Sequence, residues 1–171
     1  PLSSLALMRD AEVLAERVWR ETTARTQRLF SFLPEILAER SIAPQDIELL
    51  AVGLGPGAYS GLRISLAAAQ AFALPSNRTV FGVGSAESLA LDLLRQGVGS
   101  TVATVGDARR DRLWFAEFRL AGTMPETTVP LCLIRTAELT GRAKPGSVVA
   151  TPDWHRIGEK LRELVPPGTR L

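Results

Sequence analysis

The sequence predicts a mixed α/β fold, and three features of the chain indicate it. Short apolar runs typical of strands alternate with longer stretches of helical periodicity. Hydrophobic residues make up 46% of the 171 residues and charged residues 22%, which is the balance of a globular protein. A strand, a glycine-rich loop and an alanine-rich helix follow one another between Leu49 and Ala73. We therefore expect a buried core and regular α/β topology.

The first part of the chain predicts a hairpin, a helix and then alternating strands and helices. The hairpin strands are expected over residues 1–8 and 12–20, joined by a tight turn. Thr22 or Thr23 is placed to cap a helix that runs to about Arg40. The next predicted elements are a strand at 49–53, a helix at 62–73, a strand at 79–83 and a helix at 85–95.

A second lobe is expected after the glycines that end this last helix. The boundary is placed so that residues 1–98 form the first lobe and residues 99–171 a smaller one. The second lobe begins with a hairpin whose return strand has Trp114, Ala116, Phe118 and Leu120 on one face. Leu113 and Phe115 occupy the other face, so this strand is expected to be mostly covered. Weaker signals predict strands at 131–134 and 147–150 and helices at 136–141 and 153–164.

Charge and apolar patterning exclude several classes of protein. The 20 basic and 18 acidic side chains give a net charge of +2, so tight nucleic-acid binding by the chain alone is not expected. No apolar run reaches the length of a membrane-spanning helix, and the single cysteine, Cys132, fits a reducing compartment. A cytoplasmic protein without a membrane partner is therefore expected.

The side chains that carry chemistry are too few for the usual catalytic constellations. Zinc sites and histidine-based triads need more partners than the single histidine, His155, can provide. Cys132 lies in an apolar run and is expected to be a buried thiol. Asp107 and Asp111 alternate with arginines, which favours a solvated hairpin tip over a metal site. We predict no catalytic residue, no metal and no cofactor.

The glycine-rich loop leaves two interpretations open. Its glycines permit positive backbone torsions, and the amides that open the next helix could hold an anion with help from Arg63. The spacing matches neither a P-loop nor a dinucleotide fingerprint, so a tight strand-to-helix turn explains it equally well. Ser60 is expected to cap the helix rather than to act as a nucleophile. The candidate loop residues are Gly53, Gly55, Pro56, Gly57, Tyr59, Ser60, Gly61 and Arg63.

The alanine-rich helix is expected to pack closely against another helix. Its small side chains let a neighbour approach, and its larger apolar residues supply area to bury. The neighbour is either the 22–40 helix of the same chain or a helix pair of another subunit. The candidate interface residues are Leu29, Phe30, Leu33, Leu37, Leu62, Leu66, Ala67, Ala69 and Phe72.

One segment resembles a known family. Residues 50–64, Leu-Ala-Val-Gly-Leu-Gly-Pro-Gly-Ala-Tyr-Ser-Gly-Leu-Arg-Ile, are similar to the signature of the TsaB (YeaZ) family. The resemblance extends to Thr26-Gln27-Arg28, to residues 82–90 and to the hairpin segment at 106–117. It covers about residues 3–120 and is weak beyond Leu120.

The resemblance implies a fold and a role. The implied fold is the actin-like, ribonuclease H-like ASKHA fold, with two lobes of mixed sheets. The implied role is a non-catalytic scaffold for the TsaD transferase, which adds the threonylcarbamoyl group to the adenosine next to the tRNA anticodon. A TsaE-type ATPase would act indirectly, tRNA would be reached only through the complex, and the first two helices would also serve a homodimer.

The chain departs from the family pattern at its start. Family members begin with a strand that ends in Asp-Thr, and here this first strand is expected to be missing, which makes nucleotide binding doubtful. A sheet without that strand is expected to expose unpaired edges. Two alternatives to the scaffold are a sugar-kinase-like enzyme that uses the glycine loop as a phosphate cradle, and a peptidase, for which the chain offers little chemistry.

Overall fold

The computed structural model describes residues 2–20 and 28–171. The strands are β1 Leu2–Arg9, β2 Glu12–Arg20, β3 Leu49–Gly55, β4 Thr79–Gly84, β5 Thr101–Asp107, β6 Arg112–Ala121, β7 Met124–Arg135 and β8 Val148–Ala150. The helices are α1 Arg28–Glu39, α2 Tyr59–Ala73, α3 Ser85–Arg95, α4 Leu139–Arg142 and α5 Trp154–Leu164. Two hairpins, β1-β2 and β5-β6, and a region of alternating strands and helices between them follow one another along the chain. None of these helices is long and apolar enough to cross a membrane.

The two hairpins and the strand, loop and helix between them lie where the sequence predicts. The start expected for the first helix, at Thr22 or Thr23, lies outside the described residues. β7 is much longer than the predicted strand at 131–134. Pro125 and Pro130 interrupt its sequence pattern, but β7 is an edge strand, where a missing N–H is tolerated.

The chain divides into two compact units. Unit 1 comprises Pro1–Gly53 and Gly57–Gly82, and unit 2 comprises Leu54–Pro56 and Val83–Leu171. Helix α3 falls in unit 2 because its buried residues pack against β5 and β6. Packing thus divides the chain before α3, whereas the lobe boundary expected at residues 98 and 99 follows the glycines that end this helix. That lobe boundary stays a prediction about the family fold.

Unit 1 is built around a hairpin and the two helices that follow it. β1 and β2 pair antiparallel, with Leu7 opposite Ala15. These two residues form a core with Ile36 and Leu37 of α1, and none of the four is more than 9% exposed. Phe72 of α2 packs against the same cluster. Both helices are therefore held by the core of their own unit.

The strands of unit 1 form two separate two-stranded sheets, β1-β2 and β3-β4. Large apolar side chains on these strands stay exposed, with Leu2 at 62%, Leu49 at 56% and Phe81 at 51%. A two-stranded sheet is only marginally stable in water. Unit 1 therefore depends on α1 and α2 for much of its stability.

Unit 2 contains a four-stranded sheet with the order β7-β6-β5-β8. β6 pairs antiparallel with β5 and β7, and β8 pairs parallel with β5. Its central strands are buried on both faces, as the apolar residues on the two faces of β6 predict. Leu120, expected on the covered face, is 39% exposed because it lies near the end of β6. One face packs against α4 and α5 through Val105, Leu113, Phe115, Leu139 and Leu161. The other packs against α3 through Val102, Trp114, Ala116, Phe118, Ala90 and Leu94.

Trp114 explains why β5 contains a buried glycine near its C-terminal end. Gly106 and Trp114 are cross-strand partners, and both are buried. A Cβ atom at Gly106 would lie 2.3 Å from the indole ring. Only glycine therefore lets the indole lie across β5.

The Gly106→Ala substitution should destabilise the protein by about 1–3 kcal/mol, because the buried indole must move to make room. Gly141→Ala is the control, since nothing lies within 4 Å of a Cβ atom there. Denaturant unfolding measures both effects. Equal stability of the two variants would show that Trp114 does not dictate this glycine.

The two kinds of sheet predict unequal protection of backbone amides. Amides of β1–β4 should exchange hydrogen faster than those of β5 and β6, because regions with few buried contacts open more readily. Native-state hydrogen exchange followed by mass spectrometry measures this difference. Equal protection of all six strands would contradict it.

Candidate partner-binding surface

The glycine loop turns the chain from β3 into α2 within a few residues. β3 ends at Gly55, whose φ of 93° favours glycine and whose peptide bond to Pro56 is cis. Helix α2 begins at Tyr59, and its N-cap is Ala58, which provides no side-chain cap. The prediction that Ser60 caps this helix is wrong, because Ser60 lies inside the first helical turn.

The side chains that follow the loop lie at the surface. The Arg63 guanidinium lies 5.4 Å from the centre of the Tyr59 ring, within the range of a cation–π contact. Tyr59 is itself 75% exposed. Arg63 is thus engaged with an exposed aromatic ring, and its contact with an anion stays a prediction.

One side of α2 faces solvent, and we call it the outer face of α2. It carries Tyr59, Arg63, Ala67 and Ala71, which follow one another at four-residue steps, and Leu74, which directly follows the helix. All five are exposed, and Leu74 reaches 82%. The outer face therefore has small residues in its middle and large apolar side chains at its ends.

The structure separates the predicted interface residues into three groups. Leu33, Leu37 and Phe72 contact the core of unit 1, so they support its fold rather than an exposed face. Phe30, at 50%, and Ala67 are exposed. The half-buried members are Leu29, Leu62, Leu66 and Ala69.

Leu74 is not among the candidate residues that the sequence predicts. Only Pro75, directly after it, indicates that Leu74 lies at a helix end, and the periodicity of α2 does not show which side of the helix its own unit covers. Tyr59 was singled out as a loop residue, but the structure places it on the helix.

Comparisons with known proteins identify the family. A family model described as TsaD, tRNA N6-adenosine threonylcarbamoyltransferase, matches residues 12–161. The tRNA threonylcarbamoyladenosine biosynthesis protein TsaB of Escherichia coli is 33% identical over 118 residues, which are 68% of this chain and 50% of that protein. TsaB of Bacillus subtilis is 27% identical over 126 residues, which are 74% of this chain and 54% of that protein. The chain belongs to the TsaB (YeaZ) family.

Solved structures agree with this membership. YeaZ from Pseudomonas aeruginosa has a TM-score of 0.79 at 23% identity, over 99% of this chain and 78% of that chain. This similarity of fold confirms the actin-like fold predicted from the sequence. This TsaB-family chain spans about half the length of the curated relatives it matches.

The other chemically active side chains of this TsaB-family chain are engaged in surface contacts. Asp107 pairs with Arg156, and Asp111 accepts a hydrogen bond from Lys160 at 2.7 Å. Within residues 2–20 and 28–171, no three potential metal ligands come together. Cys132, expected to be buried, is half-buried beside the core of unit 2.

The single histidine, His155, lies in the first turn of α5. His155 is exposed, and its neighbour Trp154 lies 4.9 Å below the Arg162 guanidinium. Trp154 is thus engaged in a cation–π contact within its own helix.

The contact between Asp111 and Lys160 predicts a pH dependence. Hydrogen bonds from Lys160 and Thr136 hold the pKa of Asp111 below its usual value of 3.8. Because the folded-state pKa is lowered, the carboxylate stabilises the fold at neutral pH and loses this effect as pH falls through the folded-state pKa. Its exposure keeps the effect small.

Lys160→Met should raise the pKa of Asp111 toward the usual value, because it removes the largest cause of the shift. A carboxyl titration followed by NMR in both proteins measures it. An unchanged pKa in the variant would show that Lys160 does not hold this carboxylate.

Proposed function

We propose that this chain is a non-catalytic scaffold that binds a TsaD-type transferase and positions it for threonylcarbamoyl transfer to the adenosine next to the tRNA anticodon. The names of the curated relatives support the pathway, since they are tRNA threonylcarbamoyladenosine biosynthesis proteins. The proposed contact uses α1 and α2 of unit 1.

The observation that carries this proposal is the outer face of α2. Tyr59 is 75% and Leu74 82% exposed, while Ala67 and Ala71 between them leave the helix backbone accessible. Small residues let a partner helix approach closely, and burial of the two large side chains favours association. The exposed aromatic and aliphatic ends are suited to anchor such a contact.

Helix α1, the other helix of the proposed contact, is held beside the hairpin. Phe30 offers a half-exposed ring, and Leu33 and Leu37 fix the helix to the core of unit 1. Arg17 of β2 pairs with Glu39 at the end of α1, and the rings of Trp19 and Phe32 meet edge-on at 5.2 Å. A preorganised helix loses little conformational freedom on binding.

The same surface can receive either of two partners. A TsaD-type subunit gives the assembly that a TsaE-type ATPase would serve indirectly, and a second copy of this chain gives a homodimer. The two should compete because they bury the same residues. The nucleotide-binding alternative has weaker support, since Arg63, the cation nearest the loop in sequence, lies against Tyr59.

Ala67→Arg should weaken binding of the TsaD-type subunit about tenfold or more, because a long charged side chain prevents close helix approach. Calorimetry with the TsaD-type subunit of the same organism measures the affinity. Thermal unfolding of the free variant should be nearly unchanged, since Ala67 is exposed.

Thr140→Arg is the matched control, because it adds the same charge at an exposed position of α4 in unit 2. It should leave the affinity unchanged. If both variants bind like the wild type, the outer face of α2 is not the contact. If the wild-type chain binds no TsaD-type subunit, the scaffold proposal itself is wrong.

A further inference from the structure

The turn between β5 and β6 concentrates charge in an unusual backbone conformation. Arg109, Arg110 and Asp111 all have positive φ, at 67°, 52° and 57°. Residues other than glycine are disfavoured at positive φ, and three non-glycine residues with positive φ in succession are rare. We call residues 107–112 the arginine turn. It has large charged side chains where glycine would be favoured.

Helix α5 draws the carboxylates of the arginine turn to one side. Asp107 pairs with Arg156 and accepts a hydrogen bond from the backbone N–H of Arg109 at 2.8 Å. Asp111 pairs with Lys160 at 2.7 Å. Arg156 and Lys160 of α5 thus offset charge on both acids of the turn, while Arg156 also lies 3.7 Å from Asp153 and Arg109 lies 3.9 Å from Asp107.

The arginines are presented to solvent. The Arg109 side chain is 75% exposed and only 3.9 Å from the already paired Asp107 carboxylate. Arg110 and Arg112 are exposed, and within residues 2–20 and 28–171 neither forms a salt bridge. Three of the exposed side chains of the turn are therefore cationic, and the exposed carboxylate among them, that of Asp111, is paired with Lys160.

The adjacent strand extends this positive charge. Arg112 lies directly opposite Arg135 in the ladder between β6 and β7. Like charges at directly opposed positions of a sheet repel each other. A bound polyanion would offset this repulsion, since neither arginine forms a salt bridge among the residues that the structure describes.

We propose that Arg109, Arg110, Arg112 and Arg135 contact the phosphate backbone of tRNA. The inference deepens the proposed function, on which it rests, since tRNA is the substrate of the assembly. Guanidinium groups match phosphate oxygens with paired hydrogen bonds, and such contacts position an RNA without reading its sequence. Leu113 beside them is 2% exposed, so the turn itself offers no apolar anchor, and the exposed Leu131 and Leu133 lie farther along β7.

This surface also shows why the overall charge of +2 indicates little about RNA. Acidic residues lower the net charge of the chain. Two of them, Asp107 and Asp111, are paired with Arg156 and Lys160 of α5, so they only partly offset the charge of the arginines in the turn. The expected site is therefore a local patch of modest affinity rather than a basic stripe.

The test uses binding of an unmodified tRNA transcript to the full chain across a series of salt concentrations. The double substitution Arg109→Gly with Arg110→Gly should lower the affinity about tenfold and reduce the slope of log affinity against log salt by about one to two. Glycine accepts positive φ, so the thermal midpoint of the variant should be equal or higher. Loss of RNA binding together with retained stability separates a binding role from a structural one.

Lys144→Glu is the control, because it changes the net charge by the same amount at an exposed position elsewhere in unit 2. It should lower the affinity much less than the double substitution. Equal losses in the two variants, or no binding of the wild-type chain to the transcript at about 50 mM salt, would overturn the inference.

The outcome is distinguishable from failure of the scaffold proposal. The double glycine variant should still bind the TsaD-type subunit with wild-type affinity, because the turn lies in unit 2 and the proposed contact in unit 1. Unchanged RNA affinity with normal partner binding would reject the arginine turn alone. RNA binding that depends on these arginines, without partner binding, would reject the scaffold alone.

Discussion

Burial of the β5-β6 ladder on both faces is the constraint on which unit 2 depends. The two strands alternate side chains between one cluster under α3 and another under α4 and α5, so each helix is positioned by the same pair of strands. Trp114 occupies one face so tightly that β5 must have Gly106 beneath the indole. The ladder also fixes the turn at its end, and the ion pairs from Asp107 and Asp111 join that turn to α5. A rigid sheet thus presents a charged tip.

Unit 1 is organised differently, and the difference bears on function. Its strands lie in two small sheets, so its helices provide much of the core. Leu33, Leu37 and Phe72 are committed to that core, which leaves the outer face of α2 with Tyr59 and Leu74 at the surface. A unit that depends on its helices and exposes apolar area on one of them is suited to stabilisation by a partner. The scaffold proposal follows from this imbalance rather than from any reactive group.

The sequence predicted the elements better than their surfaces. The apolar residues of β6 and the order of strand, glycine loop and helix are local sequence patterns. They can therefore be recognised without knowledge of packing. Prolines concealed most of β7, because their effect depends on whether a strand lies at a sheet edge. Periodicity placed Leu37 and Ala67 on apolar helices but did not show that Leu37 is core and Ala67 is exposed. The sequence predicted a solvated hairpin tip at Asp107 and Asp111, but not the pairing of these acids with α5, because Arg156 and Lys160 lie far along the chain from them.

The central claim is that the outer face of α2 is covered when a TsaD-type subunit binds. Hydroxyl-radical footprinting of the free chain and of the complex tests it most directly, with Trp154 of unit 2, 42% exposed, as an internal reference. The account predicts strong protection of Tyr59 and Leu74 in the complex and unchanged oxidation of Trp154. Tyr59 and Leu74 that remain fully reactive in a stable complex would contradict it.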